Sequence, residues 1–168
     1  LATTGAQRRI DLAAPPQARL RDAVLGAAGA HAYAIVDAQG RSEIWRFPSD
    51  GSPGGEALTR DGEAHRWRLY PAPVGEVLAH DDKRGRLWLL DAASGSNRVV
   101  DEGGIGGDDA YAAVVWSPDA SHLAVVRADT ARLVNQIVLI DTRSGRREVL
   151  TSDRYESFAP AFSPDGRW

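Results

Sequence analysis

The sequence contains no cysteine and no methionine, and it has a single lysine, Lys83, among its 20 basic residues. Without cysteine the chain forms no disulfide and offers no thiolate ligand to a metal ion. No apolar run approaches the roughly 18 residues that a membrane-spanning helix needs. The net charge of −3 argues against a nucleic-acid-binding protein, whose binding face is usually strongly basic. A hydrophobic content of 43% indicates an ordinary globular core.

Two of these absences have further implications. The chain begins at Leu1 without methionine and ends at Trp168 directly after a turn, so we expect an internal segment of a longer protein. The predominance of arginine over lysine has two open explanations. One is genomic base composition, and the other is a surface that binds carboxylates with bidentate guanidinium groups.

A turn sequence recurs along the chain. It is written "PAPVGEVLAH" at 71–80, "WSPDASHLAVV" at 116–126 and "FSPDGRW" at 162–168. The turn prolines Pro73, Pro118 and Pro164 are spaced by 45 and then 46 residues. Each turn is followed by an apolar strand, a second strand, a polar turn and a third strand. A further strand then leads to the next turn, as at 111–119.

Four strands in every 45 or so residues are typical of a β-propeller blade. We therefore predict an all-β chain, a β-propeller of four-stranded antiparallel blades, with about three full blades and a partial blade at each end. The predicted blades are 28–72, 73–117 and 118–163, flanked by the partial blades 1–27 and 164–168. Because a propeller closes with four to eight blades, we expect further blades from the parent protein or from other copies of the chain.

One segment is ambiguous. Residues 16–29 carry apolar side chains at helical spacing, but the repeat register predicts a strand there, and we favour the strand. The aromatic residue before each turn is interpreted as a wedge that packs between blades. These residues are Tyr70, Trp116 and Phe162.

The turns "WSPD" and "FSPDG" resemble the PD40 repeats of TolB, of prolyl oligopeptidase propellers and of tricorn peptidases. The longer run from "LTRDGEAHRWRLYPAP" to "LTSDRYESFAPAFSPDG" resembles the second propeller of tricorn-like serine peptidases. The resemblance covers about 30–168. Val74 and Ala120 depart from it, since they stand where the turn usually has Asp and Gly.

The resemblance implies a propeller that gates or channels peptides to a serine-hydrolase active site elsewhere in the parent chain. The segment itself would not be an enzyme, whereas the parent protein would be a serine peptidase. Two alternatives stay open: a TolB-like periplasmic propeller that binds proteins, and a propeller that caps a prolyl-oligopeptidase-type hydrolase. Expected partners are peptides or unfolded segments and the parent's remaining blades and protease domains, with homo-oligomerisation open and with neither nucleic acid nor a membrane span expected. The resemblance fits a soluble bacterial protein, cytoplasmic or periplasmic.

No catalytic, cofactor or metal site is predicted. The four histidines lie in no nucleophile context such as G-x-S-x-G, so a catalytic role is not assigned. The acidic pairs at 80–82 and 106–109 match no cation-binding loop, and we interpret them as solvated loop residues. The glycines of 103–107 lack the Lys-Ser/Thr and the helix of a phosphate loop.

The loops that enter the first strand of each blade are the candidate binding region. In a propeller they reach one rim near the channel mouth, and they carry aromatic and arginine side chains, which are common anchors in recognition sites. A peptide-contacting rim is the functional hypothesis, and ordinary rim packing is the alternative. The candidate residues are His65, Arg66, Asp109, Tyr111, Arg154 and Tyr155.

Overall fold

A computed structural model describes residues 12, 14–62, 65–102 and 114–167 of the chain. Within those residues the regular structure is entirely β-strand, in three four-stranded antiparallel sheets. The first sheet contains β1 (Arg19–Leu25), β2 (His31–Ala38), β3 (Arg41–Pro48) and β4 (Glu56–Ala57). The second contains β5 (Arg66–Pro71), β6 (Val77–Asp82), β7 (Leu87–Asp91) and β8 (Asn97–Asp101). The third contains β9 (Val114–Trp116), β10 (His122–Asp129), β11 (Val134–Asp141) and β12 (Arg147–Val149).

Each sheet pairs its strands in chain order, as a blade built by successive hairpins does. The predicted all-β fold of four-stranded antiparallel blades is confirmed. Each sheet begins one strand before the turn at which the sequence repeats were divided. The limits 28–72, 73–117 and 118–163 therefore cut the repeat after its first strand, and the division into blades of the whole protein stays a prediction. No helix in the described ranges is long and apolar enough to cross a lipid bilayer.

The ambiguous N-terminal segment is a strand. Residues Arg19–Leu25 form β1 and pair with β2, as the repeat register predicts. The pairing shifts between Arg21 and Val24, where a β-bulge interrupts the ladder. The bulge explains the irregular apolar spacing, because a bulged strand loses the strict two-residue period.

The core lies between neighbouring sheets. Tyr33 and Ile35 from the first sheet pack against Leu69, Leu78 and Leu90 from the second. A second cluster joins the second and third sheets in the same way. The second strand of each sheet is largely buried on both faces. In β2 and β10 this explains a continuous apolar run, whereas β6 begins with apolar residues and ends in buried His80, Asp81 and Asp82.

The outer faces of the first and third sheets differ in how far their apolar side chains are covered. Ala34, Val36 and Phe47 of the first sheet are buried under residues that precede β1, among them Leu12 and Ala18. The chain itself therefore covers part of the outer apolar face of the first sheet. Around the third sheet large apolar side chains stay exposed, namely Leu133 in the turn before β11, Val149 in β12, and Leu150 and Phe158 after it.

The first two sheets lie close together along their first strands. β5 contacts both β1 and β2 of the preceding sheet, so the sheets approach each other most closely along this edge. The Trp116 indole crosses between blades and donates from Nε1 to the Tyr70 carbonyl at 2.9 Å. This contact confirms the wedge role of the aromatic residue before the turn for Trp116.

Candidate functional site

The structure locates four of the six candidate rim residues. His65 and Arg66 lie at the start of the second blade, and His65 is exposed. Arg154 and Tyr155 follow the third blade, where the guanidinium stacks 5.4 Å from the tyrosine ring centroid. Tyr155 is also exposed, so both members of this pair reach solvent. Asp109 and Tyr111 lie outside the described residues.

Arg66 is not an exposed rim residue. Its side chain is fully buried, and its Nη2 forms a bidentate pair with Asp61 at 2.8 and 3.0 Å. Nη1 donates to the Ser42 carbonyl and lies 3.3 Å from Glu43. Glu43 of β3 also accepts from the amide of Gly62, which lies in the loop after β4. These contacts therefore join the second blade to the first sheet and to that loop. Arg66 therefore has a structural role, which its position in the sequence did not reveal.

A polar pocket of about 450 Å³ opens at this rim between the first and second blades. Arg66 forms part of its wall. The other lining side chains come from four separate segments of the chain: Arg19, Arg21, Asp37, His65, Trp67 and Lys83. We call this the rim pocket.

Arg21 and Asp37 form the fixed part of the rim pocket. Arg21 Nε and Nη2 donate to the two carboxylate oxygens of Asp37 at 2.6 and 3.0 Å. Nη2 also donates to Ser42 Oγ and to the Arg66 carbonyl, at 3.0 and 2.9 Å. Burial opposes ionisation of Asp37, but hydrogen bonds from Arg21 and Ser42 and the charges of Arg21 and His65 together hold its pKa below the usual value.

Two matched bulges shape this rim. The bulge of β1 between Arg21 and Val24 has an equivalent in β5 between Arg66 and Leu69, one repeat later. Asp22 adopts a φ of 44° in the first bulge and accepts the Leu69 amide across the blades at 2.5 Å. Bulges commonly re-aim side chains beside functional sites. In β5 the bulge leaves the Trp67 side chain 57% exposed.

An apolar groove of about 480 Å³ runs along the inner edge of the second and third blades. The predicted wedge aromatics and turn prolines meet here, and the first strands supply the groove floor. The repeating members are Tyr70, Pro73, Trp116, Pro118, Phe162 and Pro164. We call this the inner groove.

One constellation resembles a catalytic triad by composition. Ser121 Oγ lies 2.8 Å from His122 Nδ1, and His122 Nε2 lies 3.9 Å from Asp141. The serine hydroxyl, however, bonds the Asp119 carboxylate at 2.8 and 2.9 Å within the turn, so its proton is directed to Asp119 rather than to the imidazole. The His122–Asp141 distance is also too long for a hydrogen bond that would orient a base. These side chains form the hydrogen bonds of a turn, which we call the turn network, and not a catalytic triad.

His80 is equally unsuited to proton transfer with a substrate. It is fully buried, stacks on Trp88 at 5.8 Å between ring centroids and lies 2.9 Å from Asn97 Oδ1. Burial lowers its pKa to about 4, which keeps the ring neutral. A side chain without solvent access has no route to a substrate.

The acidic pair after His80 was interpreted as solvated, and this was wrong. Asp81 and Asp82 belong to β6 and are buried. Asp81 accepts from the Arg68 amide, and Asp82 accepts from the Trp88 indole and the Arg86 guanidinium. In the described part of the chain no group of three or more His, Asp or Glu side chains is arranged to hold a metal ion. The second acidic pair, at 106–109, lies outside the described residues.

Sequence reasoning located the rim but missed most of the rim pocket. Arg19, Arg21 and Asp37 belong to the first blade, and Lys83 lies in the hairpin after β6. One available signal was the spacing of Arg21 and Arg66, which stand 45 residues apart at the same repeat position. The other was the single lysine of the chain.

No protein-family model matches the chain. Among curated proteins it is similar to an uncharacterised peptidase, YuxL, of Bacillus subtilis (strain 168), with 30% identity over 110 residues. The match covers 66% of this chain but only 16% of that peptidase. The chain therefore spans a small part of this relative's length.

Solved structures show the same fold at low sequence identity. The tricorn protease matches with a TM-score of 0.72 and 14% identity, over 88% of this chain and 14% of that one. TolB from Acinetobacter baumannii matches with a TM-score of 0.64 and 13% identity, over 89% of this chain and 36% of TolB. An oligogalacturonate lyase in complex with manganese matches with a TM-score of 0.62 and 13% identity, over 83% of this chain and 43% of the lyase. These likenesses establish a propeller-type fold.

Proposed function

We propose that this chain is a non-catalytic β-propeller segment of a tricorn-like serine peptidase, and that it channels peptide substrates to an active site elsewhere in the protein. The observation that carries the proposal is the 110-residue similarity to a peptidase of which this chain spans 16%. The described residues of the chain form three four-stranded sheets, which supports a run of blades as the matched part.

The geometry of the described histidines supports a segment that takes no direct part in peptide-bond hydrolysis. His80 is buried and His122 belongs to a turn network, so neither serves as a base. The inner groove offers instead an apolar, proline- and aromatic-rich surface on the edge where the first strands converge. Aromatic and aliphatic surfaces of this kind suit contact with peptide side chains.

Two other functions compete with this one. The likeness to TolB favours a propeller that docks protein partners, and it covers 89% of this chain. A propeller that caps a prolyl-oligopeptidase-type hydrolase agrees equally well with a peptidase relative. Sequence on both sides of the segment separates the three. A PDZ-like stretch and a later hydrolase region support the first proposal, G-x-S-x-G in an α/β pattern supports the capping role, and no hydrolase region at all supports docking.

The channelling role is tested with the full-length protein that carries this chain. Val115 lines the inner groove, and Val115→Arg places bulk and charge on the peptide path. We expect kcat/KM for 20-residue peptides to fall by about tenfold, while turnover of a dipeptide chromogenic substrate stays within about twofold. Val149→Arg is the matched control, because Val149 is exposed on the outer strand β12.

Equal effects of Val115→Arg on long and short substrates would contradict channelling. Unchanged turnover of both would contradict it as well. Thermal unfolding of each variant shows whether the fold is retained. A full-length protein without peptidase activity would remove the basis of the proposal and leave docking as the remaining function.

A further inference from the structure

Among the described residues, the rim pocket has more cationic side chains than carboxylates to neutralise them. Arg19, Arg21 and Lys83 line it against one carboxylate, Asp37. Arg21 is paired with Asp37, whereas Arg19 and Lys83 are exposed and no hydrogen bond or ion pair joins their side chains to another described residue. This local excess stands in a chain whose net charge is −3. The cations therefore form a local feature rather than a general basic surface.

Hydrogen bonds and ion pairs within the protein fix part of the wall of the rim pocket without a ligand. Arg21 has partners in Asp37, Ser42 and the Arg66 carbonyl, so its guanidinium is fixed between the two blades. The buried Arg66 side chain supports the same wall from behind through Glu43 and Asp61. These contacts fix the wall of the pocket, and they leave Arg19 and Lys83 to pair with a ligand.

One wall of the pocket is apolar. Trp67 lies in the β5 bulge and is 57% exposed, which is unusual for a large aromatic side chain on the inner strand of a blade. An exposed indole in the same pocket as Arg19 and Lys83 offers stacking and charge pairing at the same place. The volume of about 450 Å³ lies in the usual range for a ligand pocket.

We infer that the rim pocket binds a peptide carboxylate, with Arg19 and Lys83 as the charge partners and Trp67 as the contact for a neighbouring apolar or aromatic side chain. The carboxylate can come from an acidic side chain or from a peptide C-terminus. This inference deepens the proposed function, since it gives the chemical class of the peptides that the propeller selects. It requires binding only, so its test does not depend on peptidase activity.

The test uses calorimetric titration of the protein with three N-acetylated peptides. The first is amidated Ala-Phe-Glu-Phe-Ala, the second is the same peptide with Gln in place of Glu, and the third is the Gln peptide with a free C-terminus. We expect the Glu peptide, the free C-terminal peptide or both to bind about tenfold or more tighter than the amidated Gln peptide. The arm that binds identifies the source of the carboxylate. Equal affinity for all three, or no binding at all, overturns the inference.

Variants assign the binding to the rim pocket. Arg19→Gln with Lys83→Gln removes the two unpaired charges, and we expect about a tenfold or greater loss of affinity and of the salt dependence. Arg143→Gln with Arg146→Gln removes the same charge from exposed positions of the third blade, and affinity should stay within about twofold. Trp67→Ala should weaken the Phe-containing peptide more than an Ala-Glu-Ala analogue. Retained affinity in the Arg19→Gln, Lys83→Gln double variant overturns the inference. Where affinity falls, unchanged thermal unfolding excludes loss of the fold as the cause of the fall.

Discussion

Ala120 stands in a turn position that glycine occupies elsewhere in the chain. Gly29, Gly75 and Gly166 have φ angles of 69°, 73° and 70° in their turns, and Ala120 adopts 59°. The remaining turn contacts are retained, because Ser117 Oγ donates to Asp119 and accepts the His122 amide. The sequence departure at Ala120 therefore leaves the turn conformation intact, and the cost is backbone strain of about 1–2 kcal/mol.

We predict that Ala120→Gly stabilises the protein by about 0.5–1 kcal/mol, because relief of the left-handed strain exceeds the added entropy of the unfolded chain. The control is Ala128→Gly, an exposed residue of β10 without a positive φ, which should destabilise by a similar amount. Urea unfolding monitored by tryptophan fluorescence measures both. A neutral or destabilising effect of Ala120→Gly would refute the strain argument.

At this scale the sequence predicted the turns well and the rim poorly. Pro118, Asp119 and the equivalents at 164–165 have a local mechanism that is visible in four or five residues. The burial of Arg66 is not local, because it depends on Ser42 and Glu43 of the first sheet, which reach it only after two blades have packed. The exposure of Trp67 depends on a bulge that the apolar pattern does not encode.

Neighbouring sheets are joined by polar links between residues about one repeat apart. His31 Nδ1 lies 2.8 Å from Glu76, and Arg147 Nη1 donates to Asp101 at 2.7 Å. Asp101 is buried and also accepts from Arg127 Nε at 2.6 Å, so one carboxylate of the second sheet is bonded to two arginines of the third. Burial lowers the pKa of the Arg127 guanidinium, and Asp101 opposes this shift.

We predict that Asp101→Asn destabilises the protein by about 3 kcal/mol, because it leaves Arg127 buried without its counter-charge. Asp129→Asn removes a more exposed pair with Arg132 and should cost less than about 1 kcal/mol. Denaturant unfolding of both variants measures the difference. If the two costs were equal, the inter-sheet carboxylate would not be the link that the structure indicates.

The four-strand repeat was predictable because every blade uses the same physical devices. The second strand is largely buried, and the turn before it carries Pro, Asp, Ser or Gly. In the second and third sheets an aromatic residue, Tyr70 or Trp116, also precedes that turn. The cover that Leu12 and Ala18 provide over the first sheet was not predictable, because this segment lies outside the repeat.

At the scale of the molecule, the inner groove and the rim pocket form two candidate contact surfaces for peptides. The inner groove is apolar and follows the converging first strands, whereas the rim pocket is cationic and lies between the first two blades. One surface suits a peptide of any sequence, and the other adds a preference for carboxylates. In this account, the chain binds and directs peptides without cutting them.

The central claim is tested most directly by incubating the purified chain with a mixture of 20-residue peptides. Binding is followed by equilibrium dialysis and peptide integrity by mass spectrometry. The account predicts uncut peptides that bind with a Kd on the order of 10–100 μM, as expected for a weak transit contact. Cleaved products that persist in repeatedly purified samples would contradict the non-catalytic role, and recovery of all peptides unbound would contradict the channel.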